Sequence, residues 1–145
     1  MVGRRTVLVA EDDDNVRELA TFILEREGYR VIAVEHGKRA MTIIEGIEHI
    51  DLVFTDLKMP HMGGVELGRH IARICPGMPV LYTSGHTDVA DEIEPGSLFL
   101  KKPYKPQDLT SAIAKTLYGL KCPDRAPSEV KVIDLNRARH TRSRQ

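Results

Sequence analysis

At 145 residues, 41% of them apolar, the chain fits a single domain able to bury a core. No apolar run approaches the roughly 18 residues of a membrane span. Met1 to Thr6 lacks the apolar stretch of a secretory signal, so a cytoplasmic location is expected. The formal net charge of +0 hides an asymmetry: residues 121–145 hold seven Lys/Arg against three Asp/Glu (+4), whereas residues 1–120 hold fourteen against eighteen (−4). Hydrophobic periodicity also fades after Leu120. The expected organisation is a folded body over 5–120 followed by a basic, flexible tail over 121–145. Cys75 and Cys122 lie in unlike contexts without metal-ligand spacing, which predicts two free thiols.

In chain order, short β-rich runs alternate with stretches of helical period. Val7 to Val9 is followed by Val16, Leu19, Ala20, Ile23 and Leu24 at i, i+3, i+4, i+7 and i+8. Val31 to Val34 precedes Ala40, Ile43, Ile44 and Ile47, and Leu52 to Phe54 precedes Leu67, Ile71 and Ile74. Val80 to Tyr82 leads into a weak stretch. Leu98 to Leu100 is followed, after Pro103 and Pro106, by Leu109, Ala112, Ile113, Thr116 and Leu117. Strands without internal alternation, each followed by a crossover, predict a parallel sheet covered on both faces. The expected class is therefore a doubly wound α/β fold with five parallel strands.

Ligands of such sheets bind outside the carboxyl ends of the strands, so the residues just after each apolar run are where chemistry is expected. The first run leads into Glu11, Asp12, Asp13 and Asp14, the third into Asp56, the fourth into Ser84 and the fifth into Lys102. Asp13 or Asp14, the latter favoured, has the plainer role of capping the first helix. Glu11 and Asp12 lie nearer the strand, where adjacent carboxylates repel unless a cation or proton compensates. Oxygen donors select a hard ion, and Mg²⁺ (or Mn²⁺) suits one or two carboxylates better than Ca²⁺ does.

Asp56 could merely open a turn by accepting a bond from its own backbone two residues on. Strands one and three are neighbours in a 2-1-3-4-5 sheet, about 4.8 Å apart, so Asp12 and Asp56 could also share one ion. A carboxylate so placed can attack phosphorus and form an acyl phosphate. Ser84 before Gly85 and Lys102 before Pro103 read singly as turn and surface residues. Jointly they offer a hydroxyl and an ammonium to phosphoryl oxygens.

The segments VLVAEDD at 7–13, DLVFTDLKMP at 51–60, TSG at 83–85 and FLKKPY at 99–104 together resemble the response regulator receiver family over roughly residues 5 to 118. The 44-residue step from Asp12 to Asp56 fits as well. The resemblance implies a flavodoxin-like sheet of order 2-1-3-4-5 and a phosphoryl group accepted on Asp56. It implies a metal held by Glu11, Asp12, Asp56 and the Lys58 backbone carbonyl. Ser84 matches the switch hydroxyl and Phe99 the aromatic that changes rotamer. Lys102 matches the lysine whose following bond to proline is commonly cis. The expected partners are a sensor histidine kinase or phosphotransfer protein and an unidentified downstream protein, with a homodimer also open. Membrane is not expected as a partner, and nor is nucleic acid, since no second domain is large enough for a helix-turn-helix.

Two departures qualify the match. The 18-residue step from Ser84 to Lys102 is about four shorter than the family's, which predicts a shortened or missing helix between strands four and five. A missing helix there would require another element to report phosphorylation. Gly63 and Gly64 stand where Asp-Gly is frequent, which predicts a looser loop. Lys58 and His86, two residues beyond acceptor and switch hydroxyl, either tune the phosphoryl lifetime or are simply solvated. Val130, Val132, Ile133 and Leu135 form a small apolar patch that could dock the tail, against the ordering cost. Two other readings stand beside a stand-alone receiver. A haloacid-dehalogenase-type phosphatase needs a second acid where Lys58 stands, and a degenerate receiver that binds without phosphorylation would not require the full set of Glu11, Asp12, Asp56, Ser84 and Lys102.

Overall fold

The computed structural model describes residues 4–46, 48–85, 93 and 97–118, together with the backbone of 132–134. Strands β1 (Thr6–Ala10), β2 (Arg30–Val34), β3 (Leu52–Asp56), β4 (Val80–Ser84) and β5 (Leu98–Lys101) pair in parallel in the order β2-β1-β3-β4-β5. Helices α1 (Asp14–Arg26), α2 (Gly37–Glu45) and α3 (Gly64–Ile74) form the crossovers from β1 to β2, β2 to β3 and β3 to β4, and α4 (Pro106–Tyr118) follows β5. β1 and β3 are buried along their whole length, which explains their unbroken apolar runs.

Alternation along the strands divides the core. Val7, Val9, Leu52, Phe54, Leu81 and Leu100 join α1 and α4 on one face, while Leu8, Ala10 and Val53 join α2 and α3 on the other. Leu57, Tyr82, Ile93 and Phe99 form a third cluster beside them. The strands thus point successive side chains to opposite faces with period two. Each fully buried side chain of this size contributes about 1.5–3 kcal/mol of transfer free energy.

The five parallel strands lie in the predicted order, but the sheet has six. β6 (Val132–Asp134) pairs antiparallel with β5, setting Ile133 opposite Phe99 and Val132 opposite Leu100. It falls within the segment expected to be a flexible tail. A parallel sheet leaves the outer N–H and C=O groups of its edge strand unpaired, and a short β-branched run such as Val132–Ile133 suits that edge. The remainder of 121–145, Cys122 included, lies outside the described residues. So do 86–92 and 94–96, on which the expectation of a shortened helix and the reading of His86 both fall. Among the described residues there are four helices.

Three local expectations change. The cap of α1 is Asp13, whose carboxylate accepts from Asn15 and Val16 N–H at 2.9 and 3.1 Å, while Asp14 is already helical and pairs with Arg17. Leu19 was placed on the buried stripe, yet it is 51% exposed beside Phe22, because Ala20, Ile23 and Leu24 suffice to cover the sheet. The Gly63–Gly64 loop is tight rather than loose: a Cβ on Gly64 would lie 2.3 Å from the Asp56 carbonyl oxygen, and Gly64 N–H donates to the Leu57 carbonyl at 2.9 Å. Here glycine permits close backbone approach to the end of β3.

Candidate functional site

The carboxyl ends of β1, β3 and β5 bring Glu11, Asp56 and Lys102 together. Glu11 continues the face of Val7 and Val9, Asp56 that of Leu52 and Phe54, and Lys102 that of Leu100. The Lys102 ammonium lies 2.8 Å from Glu11 Oε1 and 3.0 Å from Asp56 Oδ2, so one cation bridges two carboxylates. Glu11 is 3% and Asp56 6% exposed. Asp12 is exposed, and carboxylate oxygens of Glu11, Asp12 and Asp56 all lie within 4.8 Å of one another.

Glu11 is anchored from α1. Asp13 N–H donates to its Oε2 at 3.1 Å, and the Arg17 guanidinium donates to its backbone carbonyl at 2.8 Å. Burial, the largest influence, pushes the Glu11 carboxyl up to about 7; the Lys102 hydrogen bond opposes the rise and the Asp56 charge adds to it. For Lys102, burial acts to lower the ammonium pKa, but the hydrogen bonds and charges of Glu11 and Asp56 outweigh it and hold the group above 10.5. The geometry is that of a paired charge cluster with one negative charge in excess when both buried acids are ionised.

Asp56 also makes the turn contact foreseen for it, since Lys58 N–H approaches its Oδ1 at 3.4 Å, a long bond that leaves that oxygen weakly held. Lys58 is exposed. Ser84 is 2% exposed at the end of β4, where its carbonyl accepts from Lys102 N–H at 3.0 Å. The Lys102–Pro103 peptide bond is cis, as the resemblance implied. Phe99 is fully buried with Leu57, Tyr82 and Ile93. The structure therefore gathers Glu11, Asp12, Asp56 and Lys102 at one point, with Ser84 on the neighbouring strand end and Phe99 packed in the core.

Three residues near the site were not singled out from sequence. Arg17 fixes the Glu11 carbonyl, and Thr83 donates its hydroxyl to the Leu100 carbonyl at 2.6 Å, tying β4 to β5 beside Ser84. Tyr104 packs its ring edge-to-face on Phe54, with centroids 6.0 Å apart. Tyr104 and Thr83 each carried a signal, as the last residue of FLKKPY and the first of TSG, whereas Arg17 carried none and its contact depends on tertiary approach.

The Response regulator receiver domain family model matches residues 7–114. The response regulator receiver protein CpdR of Brucella abortus is 33% identical over 117 residues, covering 78% of this chain and 97% of its own. The DNA-binding response regulator MtrA of Mycolicibacterium paratuberculosis is 30% identical over 131 residues, covering 88% of this chain and 56% of its own. The chain thus spans about half the length of the MtrA relatives it matches. A receiver protein from Sinorhizobium medicae superposes with a TM-score of 0.75 at 30% identity, covering 79% of this chain and 95% of the other. The chain belongs to the response regulator receiver family and carries the fold of phosphorylation-based two-component signalling. Among the described residues, no helix is long and apolar enough to cross a membrane.

Proposed function

We propose that the chain is a stand-alone receiver, residues 5–120 with the tail 121–145, that takes a phosphoryl group on Asp56 from a phosphohistidine of a sensor kinase or phosphotransfer protein. The observation that carries this reading is the buried pair Glu11 and Asp56 bridged by Lys102, with Asp12 beside it. The Asp56 carboxylate forms the new O–P bond as the N–P bond of the donor breaks, and the electron pair stays on the departing imidazole, which takes up a proton. Lys102 then exchanges its carboxylate partner for a phosphoryl oxygen, and the Ser84 hydroxyl donates to another. Phe99 is the aromatic through which the change at Ser84 is reported.

An all-oxygen donor set with excess negative charge fits a hard divalent ion, Mg²⁺ or Mn²⁺. Glu11, Asp12, Asp56 and the Lys58 carbonyl would hold it. When bound, it neutralises charge on the phosphoryl oxygens. Signalling is then by altered protein contacts in the cytoplasm, rather than by catalysis on an external substrate. The near-complete coverage of CpdR supports a receiver acting alone, whereas MtrA bears the printed description of a DNA-binding regulator and is the longer protein.

Incubation with acetyl phosphate and Mg²⁺ should give an acid-stable, base-labile adduct detectable by mass. The adduct should be lost completely in Asp56→Asn. Steady turnover of phosphate esters without an adduct would favour a phosphatase, and neither result would leave a receiver that binds without phosphorylation.

A further inference from the structure

Tyr104 lies on the same face of the sheet as the acidic site. Its ring packs on Phe54, two residues before Asp56 on β3, and against the cluster whose strand faces lead into Glu11 and Lys102. Among the described residues its hydroxyl oxygen is buried and has no hydrogen-bond partner. A phenylalanine would fill the same space without leaving a buried polar atom unsatisfied, which costs free energy. The hydroxyl therefore needs a partner in some state of the molecule.

The resting site identifies the group that will need a donor. Glu11 is 3% exposed, and its Oε1 is held by the Lys102 ammonium while its Oε2 takes the Asp13 N–H. Once Lys102 turns to a phosphoryl oxygen, the buried Glu11 carboxylate keeps the cation proposed above but loses the hydrogen-bond donor on Oε1. We propose that Tyr104 is a positioning residue for phosphoryl transfer, its hydroxyl donating to the Glu11 carboxylate, directly or through one water, when the site holds a divalent cation or phosphate. The inference rests on the phosphoacceptor reading of Asp56. Burial, followed by the charges of Glu11 and Asp56, pushes the Tyr104 phenol well above its ordinary range, so it remains a neutral donor.

Tyr104→Phe tests this with three readouts: Mg²⁺ affinity by isothermal titration calorimetry, half-life of the acetyl phosphate adduct, and thermal melting without metal. Mg²⁺ affinity should fall by roughly tenfold, the lower end of the value of a hydrogen bond to a charged group, and the adduct half-life should change with it. Melting without metal should be unchanged or raised, because an unpartnered hydroxyl is removed. Wild-type Mg²⁺ affinity and adduct half-life in the variant would overturn the proposal. Lowered metal-free melting with unchanged affinity would overturn it too, by showing a structural partner instead. If the wild-type chain neither binds Mg²⁺ nor forms an adduct, the phosphoacceptor reading itself fails; if it does both and Tyr104→Phe matches it, only the role of Tyr104 fails.

Discussion

The two faces of the sheet end differently. On the face covered by α1 and α4, the apolar columns of β1, β3 and β5 give way at their last step to Glu11, Asp56 and Lys102, an ion cluster at the mouth of the core. On the other face, Phe99 packs with Tyr82, Leu57 and Ile93 with no charge inside that cluster, and polar residues enter only at the strand ends, Ser84 on β4 and Lys101 on β5. The first arrangement responds to charge, whether proton, cation or phosphoryl group. The second can respond only by repacking, because close-packed side chains have discrete arrangements. The chemistry of the acceptor and its reporting are thus given to different physical forces, joined where Ser84 and Lys102 meet between β4 and β5.

The largest expected effect tests the apolar side. Phe99→Ala removes a fully buried ring and should cost about 4 kcal/mol of stability, read by urea denaturation. Its Mg²⁺ affinity should stay within about twofold of wild type, since additivity holds between groups that share no partners. A large loss of metal affinity in the folded variant would show that the two sides are not separable.

A smaller effect is expected from Lys102→Ala, which leaves Glu11 and Asp56 as buried neighbours without their shared cation. Breaking a buried pair costs several kcal/mol, and with the Lys102 side chain 22% exposed we expect about 2 kcal/mol. Saturating Mg²⁺ should recover part of the loss, because it restores positive charge to the same carboxylates. If the deficit in thermal melting is the same with and without Mg²⁺, the charge cluster is not what Lys102 supports.

Much of this division was legible in the sequence. The apolar runs fix the strands, and the polar residues that end them fix which strand supplies each group, since the fold brings strand ends together. What escaped depends on distances that no residue pattern encodes. Gly63 and Gly64 read as loosening because glycine is permissive, whereas the approach of Gly64 to the Asp56 carbonyl makes them a fit to the backbone. Leu19 read as buried because five apolar residues share the helix period, while the sheet needs fewer. β6 escaped because three residues carry too little pattern to mark a strand; an unpaired β5 edge gives them a place.

The smallest expected effect isolates the charged side by pH. Glu11 is pushed up to about 7 from the usual 4.5, so between these values the folded metal-free chain binds more protons than the unfolded chain. Stability from this group is fully present below about 4.5 and lost as pH rises through about 7. The raised pKa of Lys102 has the same sign but acts only above 10.5, outside this window. Lys102 stays charged throughout and offsets part of the new negative charge, which keeps the effect modest. In EDTA, wild-type melting should decline across this window relative to Glu11→Gln, whose side chain has no carboxyl to titrate. With Mg²⁺ the decline should shrink or reverse, because the ion takes the ionised form. Equal slopes for wild type and Glu11→Gln in EDTA would mean that burial does not hold the Glu11 proton, and that both carboxylates rest ionised on Lys102 alone.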